Sequence, residues 1–84
     1  MEWYVYIVKC QDNSFYTGIS NNLKRRIRQH NNKKGAKSLM GKLPVRLVYQ
    51  EEFSSQEDAA RREREMKGWN RGKKLKLVDP LIKE

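Results

Sequence analysis

Residues 3–9, Trp-Tyr-Val-Tyr-Ile-Val-Lys, are aromatic and β-branched, the make-up of a strand. Gln11-Asp12-Asn13-Ser14 is a turn cluster, and residues 15–20 read as the return strand of a β-hairpin. Asn21 or Asn22 can cap the next helix. It runs to about Asn31, with Leu23 and Ile27 four apart as its apolar stripe. Asn31-Asn32-Lys33-Lys34-Gly35 ends it. Residues 36–44 form an irregular basic segment, because Gly41 and Pro44 oppose a long helix there. Residues 45–53 alternate as a third strand. Ser54-Ser55-Gln56-Glu57 has the spacing of a capping box, with Ser54 as the cap. The helix it opens runs to about Lys67, where Gly68 interrupts or ends it. Residues 70–78 predict a short final helix with Leu75 and Val78 inward, stopped by Pro80. The order is β-β-α-β-α-α.

Length limits this to one domain over residues 1–84 with one small core. Leu, Ile, Val and Phe number 18 of the 84 residues, just above the range in which a charged chain stays unfolded. The aromatic alternation moves the balance to a folded protein. No apolar run is long enough to span a bilayer, and no secretory leader opens the chain. Cys10 is the single cysteine, which excludes an internal disulfide, a zinc ribbon and CxxC redox chemistry. The expected location is therefore intracellular, in the cytoplasm.

Charge adds direction. The net charge is +9, and residues 21–46 carry nine positive charges and no acid. A basic block of that purity attracts a polyanion, nucleic acid before all others. A solvated basic face is the plainer alternative.

Five polar residues stand where packing alone would not put them. Arg26 and His30 share the helix face of Leu23 and Ile27. A buried guanidinium needs a partner, unless Arg26 sits at the stripe's edge and reaches water. His30 can equally end the helix favourably against its dipole. Glu63 shares a face with Ala59, Ala60 and Met66. It can answer a buried arginine or bind a hard cation. Tyr6 and Tyr16 fall on one face of the hairpin if a three-residue loop joins the strands. Together these groups match the inventory of phosphodiester hydrolysis: a base for the attacking water, a cation for the phosphorus centre, and one metal at the leaving oxygen. A single carboxylate suits one largely hydrated Mg²⁺.

The same residues resemble the GIY-YIG nucleases. Tyr4-Val5-Tyr6 stands where that family has Gly-Ile-Tyr, and Tyr16-Thr17-Gly18 where it has Tyr-Ile-Gly. Asn22-Leu23-Lys24-Arg25-Arg26 is similar to the helix that carries the family's arginine, and Ala59-Ala60-Arg61-Arg62-Glu63 to the helix that carries its glutamate. Gly41 to Tyr49 and Arg61 to Lys67 look most like the small stand-alone bacterial members. The resemblance covers roughly residues 3–78.

It implies an α+β fold, a small three-stranded antiparallel sheet flanked by helices. It also implies an endonuclease cutting DNA, of the kind used in repair and recombination. Tyr16 would act as the base or orient the water, assisted by Tyr6. Arg26 would hold the scissile phosphate, His30 would support, and Glu63 would bind one Mg²⁺ or Mn²⁺.

Phosphate contacts fall to Lys24, Arg25, Arg28, Lys33, Lys34, Lys37 and Lys42 in the basic block, and to Lys67, Lys73 and Lys74. Such contacts position a backbone without reading bases, so little sequence specificity is expected and selection by DNA shape is plausible. The chain departs from the pattern at Tyr4, and at Ile19, where some relatives carry a lysine that can activate the second tyrosine. A non-catalytic nucleic-acid-binding module is therefore the alternative function. An accessory subunit that docks a protein partner through Glu51, Glu52, Glu57 and Asp58 is a third. The oligomeric state is not legible.

Overall fold

The computed structural model describes residues 2–33, 39 and 41–82, the last four of them as backbone only. Its elements are β1 (Trp3–Lys9), β2 (Phe15–Ser20), α1 (Leu23–Asn31), β3 (Arg46–Phe53), α2 (Gln56–Lys67) and α3 (Arg71–Ile82). The fold is α+β, as the residues and the resemblance both indicate. β1 is the centre of an antiparallel sheet in the order β2-β1-β3.

The hairpin register pairs Tyr6 with Gly18 and Val8 with Tyr16. It follows from the turn. The Cys10 N–H donates to Ser14 O at 2.8 Å, and the Asn13 N–H donates to Cys10 O at 2.9 Å. Asn13 takes the left-handed φ of 70°, which completes a three-residue hairpin loop. Even-numbered side chains of both strands therefore share a face.

The two sheet faces are covered separately. One face carries Val5, Ile7 and Val48 under Ala59, Met66 and Val78 of α2 and α3. The other carries Tyr6 and Val8 with Val45, Leu39, and Leu23 and Ile27 of α1. A bulge between Ile7 and Val8 in the β1–β3 register lets Val48 and Tyr49 both join the first cluster. Asn22 caps α1, its side chain accepting from the Arg25 N–H. At the other end, the Asn31 carboxamide exchanges two hydrogen bonds with the Val45 backbone, at 2.7 and 3.1 Å. This ties the end of α1 to the start of β3.

Two boundary expectations need correction. Ser55, not Ser54, caps α2, accepting from the Asp58 N–H. Both serines have an acid three residues on, and β3 runs to Phe53, so Ser54 makes the turn. α3 continues to Ile82, past Pro80. A proline removes one N–H from the ladder, and here the helix tolerates it. Inward packing of α3 is carried by Val78, fully buried, and Leu77, which packs against the same cluster. Leu75 is half-buried. No helix among the described residues is long and apolar enough to cross a membrane.

Candidate active site

The Tyr6 side chain crosses the edge strand. A Cβ on Gly18 would lie 2.6 Å from the Tyr6 hydroxyl and 2.8 Å from its Cζ. Glycine is therefore required where the ring passes. Tyr6 is 1% exposed, and its hydroxyl lies 3.0 Å from His30 Nε2. The ring centroids of Tyr6, Tyr16 and His30 form a triangle of 6.5, 6.1 and 5.6 Å, with His30 edge-on to Tyr16. His30, 2% exposed, is thus a buried member of this group and not a solvated helix end.

Arg26 resolves the alternative left by its position. It is half-buried. Its Nη1 reaches Gln29 Oε1 at 3.4 Å, and its charge acts on both Tyr6 and His30. Glu63 approaches from α2. Its side chain is 20% exposed, with Oε2 3.2 Å from Lys67 Nζ, and its charge also acts on Tyr6. The structure therefore brings the five candidates together around β2. The hairpin supplies two phenols, α1 a guanidinium and an imidazole, and α2 a carboxylate.

Electrostatics assign protonation states. Burial, with the neighbouring Tyr16, pushes the Tyr6 phenol up to about 12 against the pull of Arg26. It stays protonated near neutral pH. Burial and the Arg26 charge hold His30 below its usual range, so the imidazole is neutral there. The Tyr16 hydroxyl makes no hydrogen bond among the described residues.

Glu63 is the one carboxylate of this group. No group of three or more His, Cys, Asp or Glu side chains stands together among the described residues. Glu63 as a lone carboxylate suits a Mg²⁺ that keeps most of its waters and takes further oxygens from a phosphate.

The basic residues divide. Lys24, Arg25 and Arg28 are exposed on α1, and Lys33 is exposed just beyond it. Lys67 flanks Glu63. Lys74 is half-buried in a hollow with Arg71, Phe15 and Ser14, where burial and the nearby Lys67 charge lower its pKa. Lys73 instead stacks 4.5 Å over the Trp69 ring, and Lys42 leans toward Asp12 at 3.8 Å. Lys34 and Lys37 lie outside the described residues.

The acidic patch is smaller than expected. Glu51 accepts two hydrogen bonds from Arg62, at 2.9 and 3.0 Å, and one from Tyr49. Asp58 pairs with Arg61 at 3.2 Å. Glu52 and Glu57 remain exposed. Sequence reasoning gave no role to Gly18, whose strand-interior position was its signal. It also passed over Gln29, one turn beyond Arg26.

Comparison with known proteins agrees with this fold. Residues 2–76 match the GIY-YIG catalytic domain. A UPF0213 protein of Staphylococcus haemolyticus is 55% identical over 76 residues, covering 90% of this chain and 93% of its own length. One from Clostridium perfringens is 51% identical over 75 residues, 89% of this chain and 81% of that one. The solution NMR structure of a UPF0213 protein from Bacillus halodurans superposes with a TM-score of 0.60 at 47% identity, over 94% of this chain and 84% of that one. An E. faecalis protein gives 0.64 at 30% identity, over 100% of this chain and 90% of that one.

Proposed function

This chain belongs to the GIY-YIG catalytic-domain family, among its UPF0213 proteins, and from that premise we propose that it is a metal-dependent endonuclease hydrolysing DNA phosphodiester bonds. The observation that carries the proposal is the convergence of Tyr6, Tyr16, His30, Arg26 and Glu63 around the β2 strand.

Arg26 holds the scissile phosphate and balances the charge that grows on its oxygens. Tyr16 orients the attacking water or takes its proton. Tyr6, a neutral phenol backed by His30, is a hydrogen-bond donor and not the base. Glu63 would hold one Mg²⁺ or Mn²⁺, which when bound stabilises negative charge on the leaving oxygen. The exposed cations of α1 and the Lys67–Lys74 pair supply phosphate contacts that do not read bases.

The test is cleavage of labelled single-stranded, duplex, nicked, flapped and branched DNA with Mg²⁺ or Mn²⁺, by wild type and Glu63→Ala. Cutting by wild type alone is expected. Activity that survives Glu63→Ala overturns the assignment. Ile19, packed against the core where some relatives carry lysine, favours one second reading. Binding without cutting under either metal would make the protein a non-catalytic DNA-binding module.

A further inference from the structure

A cleft opens beside the catalytic group, at the end of the sheet where β2 passes into α1. Trp3 and Ile19 form its apolar side. Arg25, Arg26, Asn21 and Gln29 form its polar side. The cleft adjoins the site through Arg26, which lines it and also acts on Tyr6. We propose that this cleft receives one unpaired nucleobase next to the phosphate held by Arg26, so that the enzyme selects DNA carrying a single-stranded nucleotide at the cut. This rests on the nuclease reading and names its substrate class.

The two tryptophans differ in what surrounds them. Trp69 is already covered, with Arg62 at 5.1 Å and Lys73 at 4.5 Å from its ring centre. No ring or cation stacks on Trp3 among the described residues, although its inner part packs against the core. Trp3 is thus the indole that can stack a base, and stacking tolerates any base because each has a π-face. Gln29 accepts from Arg26 through its oxygen, which leaves its amide nitrogen as a donor to a base edge. Arg25 is exposed at the rim, where it can meet the next phosphate. A base inside a duplex cannot enter without unstacking, whereas one in a flap or gap is already available.

The experiment measures binding in EDTA, so that cleavage plays no part. Fluorescence anisotropy compares three DNAs: a blunt duplex, the same duplex with a one-nucleotide flap, and that flap made abasic. Wild type is expected to prefer the flap over both others by roughly ten-fold, within the range measured for one base on an aromatic side chain. In the Trp69→Phe protein, which leaves Trp3 as sole indole, the flap should quench the fluorescence and the abasic flap should not. Trp3→Ala should bring the flap down to the duplex affinity and leave the duplex unchanged. The wild-type comparison with the abasic flap needs no variant, so a misfolded Trp3→Ala cannot obscure the answer. Equal affinity for flap and abasic flap overturns the cleft while the nuclease reading stands. Failure to bind any of the three DNAs overturns both.

Discussion

Gly18→Ala puts the geometry of the site to its hardest test. The added methyl carbon would stand 2.6 Å from the Tyr6 hydroxyl oxygen, 2.8 Å from Cζ and 3.1 Å from Cε2. Ordinary contact needs about 3.5 Å, so the ring must move by nearly an ångström. It has little freedom, being 1% exposed and hydrogen-bonded to His30 at 3.0 Å. Overpacking costs about 1–3 kcal/mol, and loss of the Tyr6–His30 bond adds about 1 kcal/mol. The sum, about 2–4 kcal/mol, is a large share of the stability of a small domain. It corresponds to a fall in Tm of roughly 10–20 °C. Under the proposed mechanism the phenol is a catalytic contact, and an ångström of displacement there costs about 100-fold in rate. Urea melts of wild type, Gly18→Ala, Tyr6→Phe and the double variant form a cycle. Removing the hydroxyl takes away the nearest clashing atom, so the double variant should lose less than the sum of the single ones. A loss under about 0.5 kcal/mol in Gly18→Ala, or strict additivity in the cycle, would refute the close approach.

Other residues give further tests. Thr17 is 2% exposed, and its hydroxyl has no hydrogen-bond partner among the described residues; Thr17→Val should therefore raise stability by about 1 kcal/mol in a urea melt, and a loss would show that the hydroxyl is satisfied. His30 is held below its usual 6.5 by burial and by Arg26. The unfolded chain therefore takes up this proton at higher pH than the native state does, so stability is complete above about pH 6.5 and falls as pH drops through it. Melts at pH 7.5 and 5.5 should show that fall in wild type, and a smaller one in His30→Gln; equal slopes would contradict it. Glu51→Ala removes two of the hydrogen bonds that Arg62 makes, leaving it Glu65, and takes the acceptor from the Tyr49 hydroxyl; it should cost about 1–2 kcal/mol by thermal denaturation. No change would mean that the network is solvated.

The strands and the first helix were legible because their signals are local. The aromatic and β-branched run over 3–9 and its return over 15–20 match β1 and β2, and the parity argument placed Tyr6 and Tyr16 on one face. That argument held because the Asn13 turn fixes a three-residue loop. The α2 cap slipped by one residue, since two serines each have an acid three positions on and only the end of β3 decides between them. The end of α3 was misread because proline is a rule about one hydrogen bond, whereas helix length also depends on packing such as that of Leu77 and Val78. Pairing across elements was not legible. Nothing local ties Arg62 to Glu51, eleven residues earlier in a strand, and that bond removes Glu51 from the acidic patch. The Tyr6–His30 contact spans 24 positions and exists only once α1 lies on the sheet.

The two-sided build of the core has a consequence for the site. Tyr6, Tyr16, Arg26 and His30 are set by α1 and the cluster beneath it. Glu63 is set by α2 and the cluster on the opposite face, around Ala59 and Met66. The two halves meet across the β1–β2 hairpin, against which α2 also packs. A cavity in either cluster therefore moves one half of the site against the other, and the relaxation need not unfold the protein. Met66→Ala should shift Glu63 while leaving the Tyr6–His30 bond in place. Ile27→Ala should do the reverse, disturbing Arg26 and His30 but not the carboxylate. The proposed site depends on the balance of two small cores, each able to fail alone, so under the nuclease reading such variants should lose activity well before they lose the fold.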